Sequence, residues 1–297
     1  MIPKNNINDI RKPQPAAMLN SCQLALIRKH AYIPEHLPWY LHPFSGGEPF
    51  FDQGLLYYKD HGQISVIAAP LPESPGGPPL ETHVESLARK LGPTHLKIIS
   101  PAALTVSGYK QVRTETDFYY CLDLEQIKCG QKQRNMLKRA SKDAYVSIES
   151  DFTREHLQLL VRFIRFKALD EETARFFHHI PEYVASSDTA VIIEGRSRRT
   201  GTLMGFDIME TGARWCDFYL FNITGEDSRK VPGINDLLLH TAVGLAKNQK
   251  KRYINMGLGI NPGIAAFKTK WGARPFLPYY FQQFQPGFNW KKLFTWR

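Results

Sequence analysis

Apolar positions recur along this chain in two alternating rhythms, and those rhythms set the expected elements. Ala16 to Ala31 carries helical spacing, with Met18, Cys22, Leu26 and Ile27 on one side. LLYYKD and QISVIAA flank His61 and Gly62, which predicts a hairpin. Leu71 to Pro79 is a loop on its proline and glycine content. A helix from Leu80 to Leu91 follows, with Thr82 as N-cap, Glu85 three residues on, and Gly92 and Pro93 as its stop. HLKIIS and then Asp117 to Leu124 read as buried strands. A helix starting near Gln126 or Gly130 comes next, then a strand at YVSIES. TREHLQLLVRFIRFKALD is an amphipathic helix with Leu157, Leu160, Val161 and Ile164 on its apolar side. TAVIIEG, GTLMGFDIME and RWCDFYLFNI form a three-strand meander, followed by a long helix in VPGINDLLLHTAVGLAKNQK and a strand at Tyr253 to Met256. A short helix with Phe267 and Lys268, a turn at Gly272 and a last strand at YYFQQF complete a mixed α/β pattern.

The segment from Ile254 to Pro275, INMGLGINPGIAAFKTKWGARP, concentrates the candidate chemistry. A lysine on a helix just past the open end of a strand, beside free backbone N–H groups, is placed to meet an anion or a developing oxyanion. The plainer reading is a strand, turn and helix whose glycines 257, 259 and 263 only permit tight bends.

Composition narrows the partners. The 297 residues are 43% apolar and include 38 basic against 28 acidic side chains, a net charge of +10. That balance favours phosphate-rich partners and says nothing about fold. The cysteines at 22, 121, 129 and 216 show no CxxC pairing, so neither a disulfide framework nor a zinc site is expected. His178 and His179 are adjacent and cannot share one helix face, so no metal is expected there. A GxSxG elbow and a GxGxxG loop are both absent, which sets aside nucleophilic hydrolysis and nicotinamide chemistry. The N-terminus lacks the apolar core of a signal peptide, and no apolar run approaches the ~18 residues of a membrane span. A soluble protein of a reducing cytoplasm is the expectation.

The helix QKQRNMLKRASK sets Arg134, Lys138 and Lys142 in one charged stripe. It is either a solvated face or a track for phosphates. The terminal QPGFNWKKLFTWR mixes aromatic and basic residues, as a tail packed on its own domain does and as a peripheral anionic-membrane contact does.

A meander followed by a helix and then a strand resembles the GNAT (acyl-CoA N-acyltransferase-like) fold. DFYYCLDLE, QKQRNMLKRASK, PGINDLLLHTAVGLAK and INMGLGINPGIAAFKTKWGARPFLPYY in that order resemble a tandem-GNAT family. It includes the C-terminal domain of phosphatidylglycerol lysyltransferases and, more distantly, the Fem-type peptidyltransferases. The resemblance covers roughly Asp117 to Tyr280. It implies an α/β (α+β) fold of two GNAT-like lobes in tandem, with mixed, largely antiparallel sheets. The lobes are expected at residues 1–128 and 129–297, the second carrying the donor site.

The activity implied is transfer of an acyl group, first of all an aminoacyl group from tRNA, to an amine or hydroxyl such as a lipid headgroup or cell-envelope precursor. An acyl-CoA donor is the alternative within the class, and a non-catalytic RNA-binding or interaction protein the alternative outside it. Neither a cofactor nor a metal is required beyond the donor co-substrate. The lipid reading would place the protein at the inner membrane surface through its tail. Carried over by position, Lys268 would stabilise the transition-state charge, with Phe267 beside it. Arg134, Asn135 and Lys138 would hold a phosphate-bearing substrate. Gly233, Ile234 and Asn235 would turn helix-terminal amides to the donor, with Arg229 and Lys230 adding charge. Gly257, Gly259 and Trp271 would complete the substrate-binding set. The donor loop departs from the usual Arg/Gln-x-x-Gly-x-Gly/Ala, offering one glycine, Gly233, after a proline without an N–H.

Acyl transfer from an activated ester needs positioning and oxyanion donors more than covalent help. A backbone N–H near Phe221 would be the second donor. If a base is needed, Asp217 is the nearest by strand geometry, on the face of Tyr219; its plainer reading is a solvated strand residue.

Overall fold

A computed structural model describes residues 19–71 and 79–287. The tail reading at 288–297, the start of the first helix and most of the Leu71 to Pro79 loop lie outside the described residues.

The elements run α1 (Ser21–His30), α2 (Pro38–Ser45), β1 (Glu48–Asp52), β2 (Leu55–Asp60), β3 (Gln63–Ile67), α3 (Leu80–Leu91) and β4 (His95–Ser100). After the long β5 (Tyr109–Asp123) come α4 (Gln131–Asp143), β6 (Ala144–Glu149), α5 (Arg154–Phe166), α6 (Glu171–His178) and α7 (Ile180–Ser186). The meander is β7 (Ala190–Ser197), β8 (Leu203–Glu210) and β9 (Cys216–Thr224). The chain then runs through α8 (Ile234–Asn248), β10 (Tyr253–Leu258), α9 (Pro262–Lys270) and β11 (Arg274–Pro286).

All these strands join one 11-stranded sheet in the order β1-β2-β3-β4-β11-β5-β10-β9-β8-β7-β6. Pairing is antiparallel except at β3–β4 and β9–β10, each bridged by a crossover helix, α3 and α8 respectively. The two long strands exchange places. β5 follows β4 in the chain yet pairs with β10, while β11 follows β10 yet pairs with β4, and the two pair with each other along the middle. The exchange stitches the halves into one sheet.

One face of that sheet carries a core shared by both halves, from Leu56, Tyr58 and Ile67 to Phe206, Phe218 and Phe221. α1, α2, α5, α6 and α7 supply its cover, including Ile27, Tyr40, Leu160 and Tyr183. On the other face α8 packs Leu238, Leu239 and Ala242 against Tyr219, Ile254 and Met256, and α3 packs Val84 and Leu87 against Ile64 and Val66. Alternation along β2, β3 and β9 divides the residues between the two faces, as pleating requires.

Several expectations need correction. α3 begins after Pro79, so Thr82 lies inside its first turn and caps nothing. Glu85 instead accepts from the Ser107 N–H at 2.9 Å, and Glu81 from the Thr105 N–H at 3.2 Å, tying the helix to the loop before β5. In α5 the buried stripe is His156, Leu159, Leu160, Phe163 and Ile164, while Leu157 is 40% exposed. β5 begins eight residues before Asp117, because its first half is a polar ribbon paired with β11 and shows no apolar alternation. No helix among the described residues is long and apolar enough to cross a membrane.

Candidate active site

β9 and β10 start as a regular parallel pair and then part. Cys216, Asp217 and Phe218 pair with Tyr253, Ile254 and Asn255, after which each strand continues with other neighbours. Both edges of the opening are irregular. On β9, Met209 pairs with Tyr219 but Ile208 with Phe221, leaving Leu220 as a bulge. Bulges take backbone groups out of the ladder and re-aim them. On β10 the register to β5 breaks between Asn255 and Leu258, where Gly257 has φ +71° and donates its N–H to Asn255 Oδ1 at 2.8 Å. A positive φ of that size favours glycine.

α9 delivers a lysine to this opening. Its start is fixed by Asn261, whose side chain accepts from the Ile264 N–H at 3.0 Å, and by Pro262 in the first turn. Lys268 is only 5% exposed. Its Nζ donates to the Leu258 carbonyl at 2.5 Å, lies 5.7 Å from the Tyr120 ring centre, and would sit 3.9 Å from a Cβ at Gly257. Burial pulls its pKa down to about 8, opposed by the charge of Asp117. Asp117 shapes the turn beneath it, accepting from the Ile260 N–H at 2.7 Å. A Cβ at Gly259 would come within 2.8 Å of the same carboxylate, so close approach explains that glycine.

The other expected residues divide. Phe221 follows the bulged Leu220, and its ring lies in an aromatic cluster with Phe44, Phe176 and Phe177 at 5.8 to 6.0 Å. Phe267 is half-buried against the α8 core. Trp271 does not reach the opening. It is 2% exposed and donates its Nε1–H to Asp236 at 2.9 Å, fastening α9 to α8. Asp217 does not reach the opening either. It lies where β9 and β10 are still zipped, fully buried, with Lys251 Nζ 3.2 Å away. Burial raises its pKa to about 6 against the pull of Lys251, itself anchored on the Thr211 and Ala213 carbonyls.

The amino end of α8 is covered rather than open. A Cβ at Gly233 would meet Met136 Cγ at 2.6 Å and its carbonyl oxygen at 3.1 Å, so this glycine admits α4. Ile234 is buried, and Asn235 accepts from Asn222, which also donates to the buried Asp207 at 2.6 Å. Burial lifts Asp207 to about 7. Asp236 already meets the positive end of the helix dipole. Its carboxylate is turned to α9, accepting from Trp271 Nε1 at 2.9 Å and pairing with Lys270 Nζ at 2.5 Å.

The basic residues sit outside the opening. Arg134 bonds the Cys129 carbonyl and Gln131, Asn135 accepts from Gln131, and Lys138 is exposed. Arg229 stacks 4.8 Å over Phe166, and Lys230 pairs with Asp227 at 2.6 Å. Lys230 also lines a hollow of about 390 Å³ with Lys142, Arg198 and Arg199. Residue patterns missed those arginines, together with Asp117 and the half-buried Glu35. Glu35 did leave a trace, as a lone carboxylate in the apolar run AYIPEHLPWYL.

Comparison with solved structures gives this geometry a setting. L-PGS of Bacillus licheniformis matches over 94% of this chain and 95% of its own, at 15% identity and a TM-score of 0.58. FemX matches over 89% and 96% at 11% identity and a TM-score of 0.60. The fold is that of the tandem GNAT-like proteins. A tandem GNAT protein from the clavulanic acid biosynthesis pathway also matches, over 79% of each chain, at 15% identity and a TM-score of 0.51. No family model matches the sequence, and no curated protein matches it either. In this tandem GNAT-like fold, the bulged strand and the strand that parts from it are β9 and β10. Among the described residues no cluster of three or more histidine, cysteine or acidic side chains is arranged to hold a metal.

Proposed function

We propose that this protein is an acyltransferase whose reaction centre is the opening between β9 and β10. The donor is first of all an aminoacyl-tRNA, and the acceptor an amine or hydroxyl. The observation that carries the reading is Lys268, a buried cation on the rim of a gap where both strands have released backbone groups. An acyl carbonyl seated there would develop its negative charge beside the ammonium and the amides around Leu220 and Phe221. Such donors act in a water-poor site without reorganising, each worth about 10²–10³ in rate. The protein then need only position two reactants, since an activated ester already carries a good leaving group.

Two features favour aminoacyl-tRNA over acyl-CoA. At the amino end of α8, where a diphosphate would lie, Gly233 is packed against Met136 and follows a proline without an N–H. The surface around Lys138, Lys142, Arg198 and Arg199 is basic and exposed, which suits a long polyanion. The test is titration of the purified protein with bulk tRNA and with acetyl-CoA at two salt concentrations, followed by a transfer assay. Binding of tRNA that falls steeply with salt, with weak or no CoA binding, is expected. CoA binding that survives salt would overturn the donor, and binding to neither would overturn the reading.

A further inference from the structure

The opening has two sides. Lys268 approaches from the face that carries Tyr120, whereas Tyr119 points to the opposite face, as adjacent strand residues must. Tyr119 stands directly across from Leu258, whose carbonyl holds Lys268. Its hydroxyl donates to Glu35 Oε2 at 2.9 Å. Glu35 is thus tied to the rim of the same gap, on the side away from the lysine.

The segment carrying Glu35 is fixed to that rim a second time. Asn255, the last β10 residue to pair with β9, donates its side-chain N–H to the Tyr32 carbonyl at 2.8 Å. Tyr58 donates to the Glu35 carbonyl at 3.3 Å, and Tyr279 stands edge-on to Tyr119 with ring centres 5.5 Å apart. Tyr119 on β5 is the tyrosine hydrogen-bonded to the carboxylate, and the Glu35 charge is also felt by Tyr40 on α2, Tyr58 on β2 and Tyr279 on β11. On its own segment, His36 is turned to the Ala69 carbonyl. Among the described residues no lysine or arginine forms an ion pair with Glu35. Burial pushes the Glu35 pKa up to about 7, with the Tyr119 hydrogen bond opposing.

A half-buried carboxylate with no cation beside it is costly, and tyrosine rings near it attract organic ammonium groups. We infer that Glu35, held by Tyr119 through its carboxylate and by Tyr58 through its carbonyl, is the acceptor site, and that it takes a primary amine as its ammonium. A hydroxyl acceptor would bring no charge to complete the site. The inference rests on the reaction centre proposed above and names its acceptor. The ammonium gives one proton to Glu35, and the freed lone pair attacks the acyl carbon. A C–N bond forms and the ester C–O bond (C–S for a thioester) breaks. The second proton on nitrogen leaves with the departing oxygen or sulfur, and Glu35 returns its proton to water.

Two measurements test this with Glu35→Gln, its folding checked by thermal melting. First, n-propylammonium chloride is titrated into the full chain and followed by ligand-detected NMR. Saturable contact with the native protein, lost in the variant, is expected; no contact, or contact kept in the variant, overturns the inference. Second, transfer from aminoacyl-tRNA or acetyl-CoA is compared for n-propylamine and for hydroxylamine, which is uncharged at neutral pH. Glu35→Gln should lose about 10²–10⁴-fold in transfer to propylamine, together with the acid limb near pH 7, and keep transfer to hydroxylamine. Equal losses for both nucleophiles, or no loss, would overturn it. If the native protein transfers to neither, the acyltransferase reading falls, and the NMR titration alone decides the ammonium site.

Discussion

The two parallel strand pairs of the sheet are built alike and end differently. β3 and β4 pair from Gln63–His95 through Ile67–Ile99, and the Ala68 N–H still reaches the Ile99 carbonyl at 2.7 Å. β9 and β10 pair over three residues only, then part around a bulge and a positive-φ glycine. Both have a crossover helix on the same face. Only the second is followed by a helix that sends a buried lysine into the gap, since β4 leads through a loop straight to β5. A closed pair gives stability, whereas a parted pair exposes backbone donors that a substrate can use. On the proposed reading, the difference puts the chemistry in the half holding β9 and β10 and leaves the other half as scaffold and acceptor wall.

Lys268→Met tests that asymmetry most severely. Methionine fills the same space without charge, so folding should persist while the rate of transfer falls about 10²–10³-fold. A variant that turns over at the native rate would make the halves chemically equivalent. The pH dependence sharpens the point, because activity and stability should move in opposite directions. Transfer that relies on the ammonium declines as pH rises through about 8. The folded pKa lies below the ordinary 10.5, so between these values the unfolded chain holds more protons than the folded one, and stability rises with pH across that window. Urea midpoints at pH 8 and pH 10 check the sign, and Lys268→Met should remove this lysine's share of the rise.

Asp217→Asn probes the zipped end of the same pair. It leaves Lys251 with its two carbonyl partners but without a counter-charge. The expected cost is about 3–5 kcal/mol in urea unfolding, the range for breaking a buried ion pair by removing one partner. Activity of the folded protein should not change. A large loss of turnover without loss of stability would restore Asp217 as a base and move the site down the strands.

These cases show what the sequence could and could not carry. α3, β4 and the meander were legible because apolar alternation coincided with Gly and Pro boundaries, as at Gly92–Pro93. The tandem arrangement and Lys268 came from motif order. The exchange of β5 and β11 did not, because Lys110 to Thr116 is exposed and mostly polar and so shows no apolar alternation. Strand parity put Asp217 on the face of Tyr219, but parity does not say where two strands part. Gly233 looked like a place for a phosphate, and the side chain that fills it, Met136, is almost a hundred residues away in sequence. Glu35 meets Tyr119 across a similar distance, which no local pattern encodes.

The smallest effects belong to the basic surface, and they separate charge from chemistry. Lys138 and Lys230 are exposed, the first on α4 and the second paired with Asp227 across a solvated loop. Replacing either with Ala should change stability by less than about 0.5 kcal/mol, as at most surface sites. If these lysines meet donor phosphates, each replacement lowers the salt slope of tRNA binding by about 1 and weakens binding evenly across tRNA species. The chemical step at saturating donor should stay unchanged, because neither lysine touches the gap between β9 and β10. A slope that stays constant in both variants would detach the basic face from the donor and leave its charge as a solubility feature. Altered single-turnover chemistry at saturation would instead mean that the reaction centre extends toward α4, and that the parted strands are not the whole site.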